Sequence, residues 1–205
     1  MGSGVNEVTI IVATFGDIKW MRIAERAVRS AERQTVKAPV IYRHGKTLHS
    51  ARNIAAGAAT TKWLIFLDAD DELDEHYVEA MLAGTGDVRQ PSTLGIVKGK
   101  EDPFPVMIPA KHLLSGNYLV VSSMMEWDRF QKVGGFEPWP IYEDWSLFIR
   151  LWLDGAVITQ VPDAILRMNI DPKGRNHGPS QAEKNKYFEI IRNQYIDIAK
   201  AKGML

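Results

Sequence analysis

The sequence predicts an α/β fold, in which a Rossmann-like, mostly parallel central sheet is flanked by helices. Apolar runs rich in β-branched residues alternate along the chain with longer segments whose apolar residues recur at helical spacing. The 205 residues suffice for one well-buried domain, and neither an internal repeat nor a long linker divides them. A sheet of this kind binds ligands beyond the carboxyl ends of its strands.

The first third of the chain alternates most clearly. Residues 8–13 (VTIIVA) are continuously apolar, as expected of a strand covered on both faces, and residues 18–33 have the period of an amphipathic helix. A short strand is predicted at residues 39–42, followed by an alanine-rich helix at residues 50–59 that Ser50 would cap. These elements predict two successive strand-helix units.

A third strand is predicted at residues 62–67, and a run of acidic residues follows it directly. The run begins with Asp68, Asp70 and Asp71, and it ends where residues 76–82 favour another helix. Like charges this close to a buried strand repel one another, so they require compensation. The carboxyl edge of the sheet is therefore the first place to look for a ligand.

The rest of the chain is less regular, because glycine and proline interrupt residues 84–109, where we predict short strands and loops without a helix. Further predicted elements are a strand at residues 117–125, a turn at Gly134 and Gly135, a helix at residues 145–153 that stops before Gly155, a strand at residues 156–161, a polar loop at residues 171–180, and a final helix at residues 181–201.

Composition excludes several classes of function. The 25 basic and 25 acidic residues leave no net charge for coating nucleic acid, and the absence of cysteine excludes disulfides and thiolate chemistry. No apolar run approaches the roughly 18 residues of a membrane span, and the first residues do not resemble a signal segment. We expect a cytoplasmic protein whose residues 1–5 are a tag remnant or a disordered start.

Several interpretations of the acidic run remain open. Glu72, Asp74 and Glu75 fit the exposed first turn of a helix, where the macrodipole favours carboxylates. The spacing from Asp68 to Glu79 also resembles a calcium-binding EF-hand loop, although Leu73 occupies the position that requires glycine. An aspartyl nucleophile of a phosphatase is another alternative. The last is a divalent cation shared with a nucleotide diphosphate, because the chain lacks a phosphate-binding glycine loop.

Three sequence blocks in one order resemble the family 2 nucleotide-sugar glycosyltransferases of the GT-A fold. VTIIVATF resembles the first strand of that family, and SARNIAAGAATTKWLIFLDADDEL resembles its A-R-N and Asp-x-Asp block. VGGFEP followed by YEDWSLFIRLWLDG resembles its G-G-F and E-D block. Together the blocks span most of residues 8–167, which is far more specific than a single Asp-x-Asp.

The resemblance implies a set of site residues. Thr14, Phe15 and Arg52 would lie beside the nucleotide, Asp68 would bind ribose and metal, and Asp70 would bind the metal, Mn²⁺ or Mg²⁺. Asp71 could also take part. Each assignment has a structural alternative: Phe15 could belong to the core and Arg52 could be a surface charge.

On the acceptor side, the resemblance implies that Asp144 is the general base and that Glu143 orients it or makes a second interaction. A position at the start of a helix suits the carboxylate form of Asp144 and would equally suit a helix cap. His177 would complete the metal shell, and Arg175 would meet phosphate, or both could be ordinary loop residues.

The chain departs from the family after its second strand. Family members usually carry an Asp-rich V-x-D-D-G-S segment there that contacts the base, whereas this chain has VIYRHG with Arg43 and His44. This departure counts against uracil recognition unless His44 or a main-chain group replaces that contact.

The resemblance implies a metal-dependent, inverting transferase of the hexosyltransferase type that uses a nucleotide-diphosphate sugar, with a UDP-sugar favoured. The acceptor could be a glycan, a lipid-linked sugar, a protein, a small molecule or a modified nucleobase. We expect a nucleotide-binding half at about residues 6–85, an acceptor half at about residues 86–180, and one domain over residues 6–205. The alternatives are a non-catalytic nucleotide- or glycan-binding module and an Asp-based phosphatase.

Overall fold

The computed structural model describes residues 7–97, 99–103, 110–170 and 179–205. The expected start at residues 1–5, most of the polar loop at residues 171–180, and both Arg175 and His177 lie outside these residues.

The described strands form one mixed sheet in the order β2-β1-β3-β7-β5-β8-β4, with β6 paired to β5. Parallel pairing joins β1 to β2, β1 to β3 and β5 to β8, and these pairings are longer than the antiparallel ones. The strands are β1 Val8–Phe15, β2 Val40–Gly45, β3 Trp63–Leu67, β4 Glu72–Leu73, β5 Val88–Val97, β6 Lys100–Pro103, β7 Met124–Glu126 and β8 Ile158–Asn169.

Helices pack on both faces of this sheet. The α-helices are α1 Lys19–Glu32, α2 Leu48–Gly57, α3 Tyr77–Ala83, α4 Trp127–Lys132, α5 Glu143–Leu153 and α6 Gln181–Ala201, and Ala110–Ser115 is a 3₁₀ helix. One apolar core lies under α1 and α3, and the other lies under α2, α5 and α6. Successive residues of β1 enter opposite cores, because Ile10 and Val12 face α1 whereas Ile11 faces α2. This explains the uninterrupted apolar runs.

The chain order creates a crevice at the carboxyl edge. After β1 the chain passes through α1 to β2, then returns through α2 to β3 on the other side of β1. The two crossover helices therefore lie on opposite faces, and the carboxyl ends of β1 and β3 flank the point where the direction of strand addition reverses. Open α/β sheets bind ligands at such a point.

Several predicted elements differ from the structure. The strand expected at residues 117–125 is confined to Met124–Glu126, which is the part that pairs between β3 and β5. The strand expected at residues 156–161 continues to Asn169, because β8 pairs along β5 past a bulge at Pro91. Helix α4 was not predicted.

The predicted cap of α2 was wrong. Thr47 caps this helix by accepting the Ser50 amide N–H, and the helix begins before Ser50. The final helix was predicted correctly, and a capping box between Ser180 and Glu183 fixes its start. Among the described residues, no helix has both the length and the apolar character required to cross a bilayer.

Candidate active site

The carboxyl ends of β1 and β3 bring the first two predicted groups together. Val12 pairs with Leu67 in the parallel register, so Thr14 and Asp68 emerge at the same edge. Thr14 is buried, and its Oγ1 lies 2.7 Å from Oη of Tyr42 and 3.0 Å from Nδ1 of His44. Phe15 ends β1 and is partly exposed. His44, which departs from the family pattern, therefore lies next to the predicted nucleotide contact.

Arg52 is the centre of the site. It is only 2% exposed, and its Nη2 donates to Oδ1 of Asp68 at 2.6 Å while its Nη1 donates to Oε1 of Glu143 at 3.0 Å. The guanidinium also lies over the ring of Phe136, 4.9 Å from the ring centroid. Through its hydrogen bonds to the carboxylates of Asp68 and Glu143, Arg52 joins the Asp-x-Asp block to the E-D block.

The three acidic residues after β3 have different environments. Asp68 and Asp70 are partly exposed, whereas Asp71 is turned inward and accepts the Asn169 backbone N–H at 3.0 Å. Burial raises the pKa of Asp71 well above its ordinary value of 3.8, and the carboxylates of Asp68 and Asp70 raise it further, against the opposing effect of that hydrogen bond. Asp71 joins the loop to the end of β8.

The negative charges of the next acidic residues, Glu72 and Asp74, are paired with arginines. Glu72 belongs to β4 and forms an ion pair with Arg26 of α1, so the expected place in a helical first turn was wrong for it. Asp74 bonds to Arg167 at 2.9 Å, which lowers the pKa of Asp74 against the opposing effect of its partial burial. Only Glu75 remains as an exposed residue just before α3.

These pairings argue against the calcium-loop interpretation. An EF-hand requires its ligands to converge on one ion. Here Glu72 and Asp74 pair with arginines on different elements, and Nδ1 of His76 bonds to Glu79 at 3.0 Å.

Asp144 lies in the first turn of α5. Its Oδ1 accepts the Trp145 backbone N–H at 2.8 Å, and its Oδ2 accepts the side-chain amide of Asn117 at 3.1 Å. The residue before Glu143, Tyr142, has φ of 64°, which is uncommon for a residue with a side chain and is a form of local strain found at functional sites. The helix therefore starts with an abrupt turn that directs Glu143 to the interior and leaves Asp144 partly exposed.

The loop before α5 is held by side chains from three helices. Asn53 of α2 donates to the carbonyl of Phe136 and accepts its backbone N–H, both at 2.9 Å. Arg150 donates to the carbonyl of Gly135 at 2.7 Å. Glu137 accepts from Ser146 and from Oη of Tyr195 on α6. The position of Asp144 therefore depends on contacts between parts of the chain that are remote in sequence.

Sequence reasoning missed Asn53, Asn117 and Arg150 as site residues. Asn53 and Arg150 stand inside the quoted A-R-N and E-D blocks, so the motifs themselves carried that signal. Asn117 lies in no such block, and nothing in the sequence marked it.

Among the described residues, no group of three or more His, Asp or Glu side chains could hold a metal ion. His177 and Arg175, which were expected to complete the shell, lie outside them. The residues present nevertheless suit a divalent cation. Carboxylate oxygens are its preferred ligands, and Asp68 and Asp70 place two partly exposed carboxylates just after β3, at the carboxyl edge of the sheet.

Residues 22–112 match the family model described as glycosyl transferase family 2. The matched residues make up less than half of the chain and contain its A-R-N and Asp-x-Asp block. The resemblance inferred from the three sequence blocks is thereby confirmed. A search of curated proteins gives no match.

Solved structures of TarS from S. aureus have the same fold. TarS residues 1–349 in complex with UDP-GlcNAc align with a TM-score of 0.67 and 13% identity, covering 85% of this chain and 61% of that one. The complex of the same TarS residues with UDP aligns with a TM-score of 0.61 and 14% identity, covering 96% of this chain and 74% of that one. A longer TarS structure aligns with a TM-score of 0.60 and 13% identity, and the alignment covers 92% of this chain and 43% of that one. The chain thus spans about three-fifths of the first of these, and the GT-A fold prediction is confirmed.

Proposed function

We propose that the protein is a metal-dependent, inverting glycosyltransferase that moves a sugar from a nucleotide-diphosphate sugar to an acceptor hydroxyl. The observation that carries this proposal is the bridge made by Arg52, which brings Asp68 after β3 and the start of α5 into one site. TarS structures contain UDP-GlcNAc and UDP, which supports a UDP-sugar as the first donor to test.

The reaction is a single displacement at the anomeric carbon. The acceptor oxygen forms a bond to that carbon as its bond to the diphosphate oxygen breaks, and the configuration inverts. Asp144 takes the proton of the acceptor hydroxyl, for which its partly exposed carboxylate is suited. Asn117 and the Trp145 N–H orient that carboxylate. Holding both substrates in line contributes much of the remaining acceleration.

Asp68 and Asp70 would hold the divalent cation. When bound, Mn²⁺ or Mg²⁺ supplies positive charge to the departing diphosphate. Arg175 and His177 are retained as proposed contributors to phosphate and metal binding.

Thr14, Phe15 and His44 form the proposed base and ribose side. The hydrogen bond between Thr14 and Nδ1 of His44 fixes the orientation of the imidazole, so its other nitrogen can contact the base in place of the family's acidic segment. The proposed division remains a nucleotide-binding half over residues 6–85 and an acceptor half over residues 86–180.

The acceptor side includes Tyr142. Trp139 donates to Glu137 and contacts Tyr187, and Trp127 donates to the Ala56 carbonyl, so both are used in packing. Tyr142 lies two residues from the proposed base and is the aromatic candidate for stacking on an acceptor ring. The acceptor classes named above, and a cytoplasmic location, remain predictions.

Release of UDP from a panel of UDP-sugars, with and without Mn²⁺, tests the proposal. We expect release that requires Mn²⁺ and that is lost in Asp70→Asn. UDP binding without any turnover of donor would favour the non-catalytic module instead. Turnover of a simple phosphomonoester, with Asp68 covalently trapped, would favour the phosphatase.

A further inference from the structure

Glu143 is the most deeply buried carboxylate of the described site. It is 1% exposed, and it forms an ion pair with the almost equally buried Arg52. Removing a carboxylate from water carries a large desolvation cost, and a glutamine in its place could accept the same hydrogen bond at lower cost. The charge of Glu143, beyond its hydrogen bond, therefore calls for an explanation.

The positive charge of Arg52 lies next to Asp68, and the negative charge of Glu143 offsets it. Its Nη2 lies 2.6 Å from Oδ1 of Asp68, so its positive charge competes with any cation for that carboxylate. Among the three groups, one positive and two negative charges leave one negative charge. Without the charge of Glu143, Arg52 would neutralise Asp68.

We infer that Glu143 is a positioning residue that tunes the donor site through Arg52. Its carboxylate offsets the charge of Arg52, and Asp68 thereby keeps the negative charge with which it binds a divalent cation. Arg52 in turn holds Asp68 in place by a hydrogen bond without neutralising it. The same pair ties the start of α5, and thus Asp144, to the donor side.

This inference rests on the proposed function, because it concerns the cation of that site. The test measures the affinity for Mn²⁺ alone, using the electron paramagnetic resonance signal of the free ion. It compares the wild type, Glu143→Gln and the double variant Arg52→Gln/Glu143→Gln. Glutamine at position 143 keeps the acceptor for Arg52 and removes only the charge. The double variant restores the wild-type net charge of the group.

We expect Glu143→Gln to weaken Mn²⁺ binding roughly five- to tenfold, and the double variant to return to within about twofold of the wild type. Glu126→Gln is the matched control, because Glu126 pairs with Trp63 at the opposite end of β3, roughly 16 Å along the strand. That distance exceeds the screening length at ordinary salt, so Mn²⁺ affinity should not change. Circular dichroism and thermal unfolding report whether each variant is folded.

Each other outcome overturns the inference. Equal affinity of Glu143→Gln and the wild type removes the electrostatic role while leaving the proposed transferase intact. If the double variant is folded but binds Mn²⁺ as weakly as Glu143→Gln does, the pair of Arg52 and Glu143 has only a structural role. A wild type that binds no Mn²⁺ contradicts the metal of the proposed function as well, and this result is distinct from the other two.

Discussion

The proposed donor side and the proposed base side of the candidate site, called below the donor side and the base side, are built by different means. The donor side consists of the ends of parallel strands, where the register of β1 and β3 brings Thr14 and Asp68 to one edge. The base side consists of a loop and the first turn of α5, held by side chains that bond to backbone groups. One side is fixed by regular pairing and the other by individual contacts.

This difference has a consequence for mutation. A strand has a ladder of backbone hydrogen bonds and a buried apolar core on both faces, so its backbone does not depend on any one side chain. The loop before α5 is instead held by individual hydrogen bonds of Asn53, Arg150 and Glu137. Substitutions in the loop should therefore disturb Asp144 more than comparable changes near β1.

The largest effect should come from the proposed base itself. We expect Asp144→Asn to lower transfer roughly 10²- to 10⁴-fold, because asparagine cannot take the acceptor proton, while UDP affinity stays within about twofold. Initial rates and UDP titration measure the two quantities. Asp128→Asn is the control, since Asp128 occupies the first turn of α4 in the same way. Full activity of Asp144→Asn would remove the assignment.

Gly135→Ala should destabilise the loop more than Gly134→Ala does. Both glycines have positive φ, so alanine adds similar backbone strain of about 1–2 kcal/mol at each. A Cβ at position 135 would lie 2.7 Å from Oδ1 of Asn53, whereas at position 134 it meets nothing within 4 Å. We expect a further 1–3 kcal/mol for Gly135→Ala, measured by urea unfolding. Equal losses would show that the loop adapts freely.

Asn53→Ala should cost about 1–3 kcal/mol in the free energy of unfolding, because it leaves the N–H and C=O of Phe136 without their partner. Transfer should fall as well, since Asp144 follows this loop. Asn185→Ala on the exposed face of α6 should change stability by less than about 0.5 kcal/mol. A loss in Asn53→Ala no larger than in this control would contradict the comparison.

The smallest effect concerns acid stability. Burial would raise the pKa of Glu137, but hydrogen bonds from Ser146, Trp139 and Tyr195, with the charge of Arg150, lower it below the ordinary 4.5. The carboxylate therefore stabilises the fold above about pH 4.5, and this contribution is lost as the pH falls through the lowered pKa.

Thermal unfolding of Glu137→Gln tests this effect. The variant should be less stable than the wild type at about pH 7, and the difference should shrink below about pH 4, because only the wild type loses a charge. A difference that is constant over this range would contradict the assigned role of Glu137.

The sequence predicted the donor side better than the base side. The strands around residues 8–13 and 62–67 were recognised because burial on both faces produces a continuous apolar run. By contrast, residues 117–125 are apolar enough for a strand, yet only the last of them pair, since pairing depends on which strands are adjacent. The role of Asn117 could not be predicted, because its contact with Asp144 is made only when the chain folds back.

The sequence by itself determined the alternation of strands and helices, the resemblance to a family, and the chemical groups proposed for the site, since burial periodicity and motif order are local properties of the chain. Only the tertiary structure decided the partners of those groups. Arg52 and Glu143 are 91 residues apart, and Asp71 reaches Asn169 across 98. Contacts at such separations follow from sheet order and helix packing, and they make Arg52, which the resemblance places beside the nucleotide, also the bridge between two carboxylates.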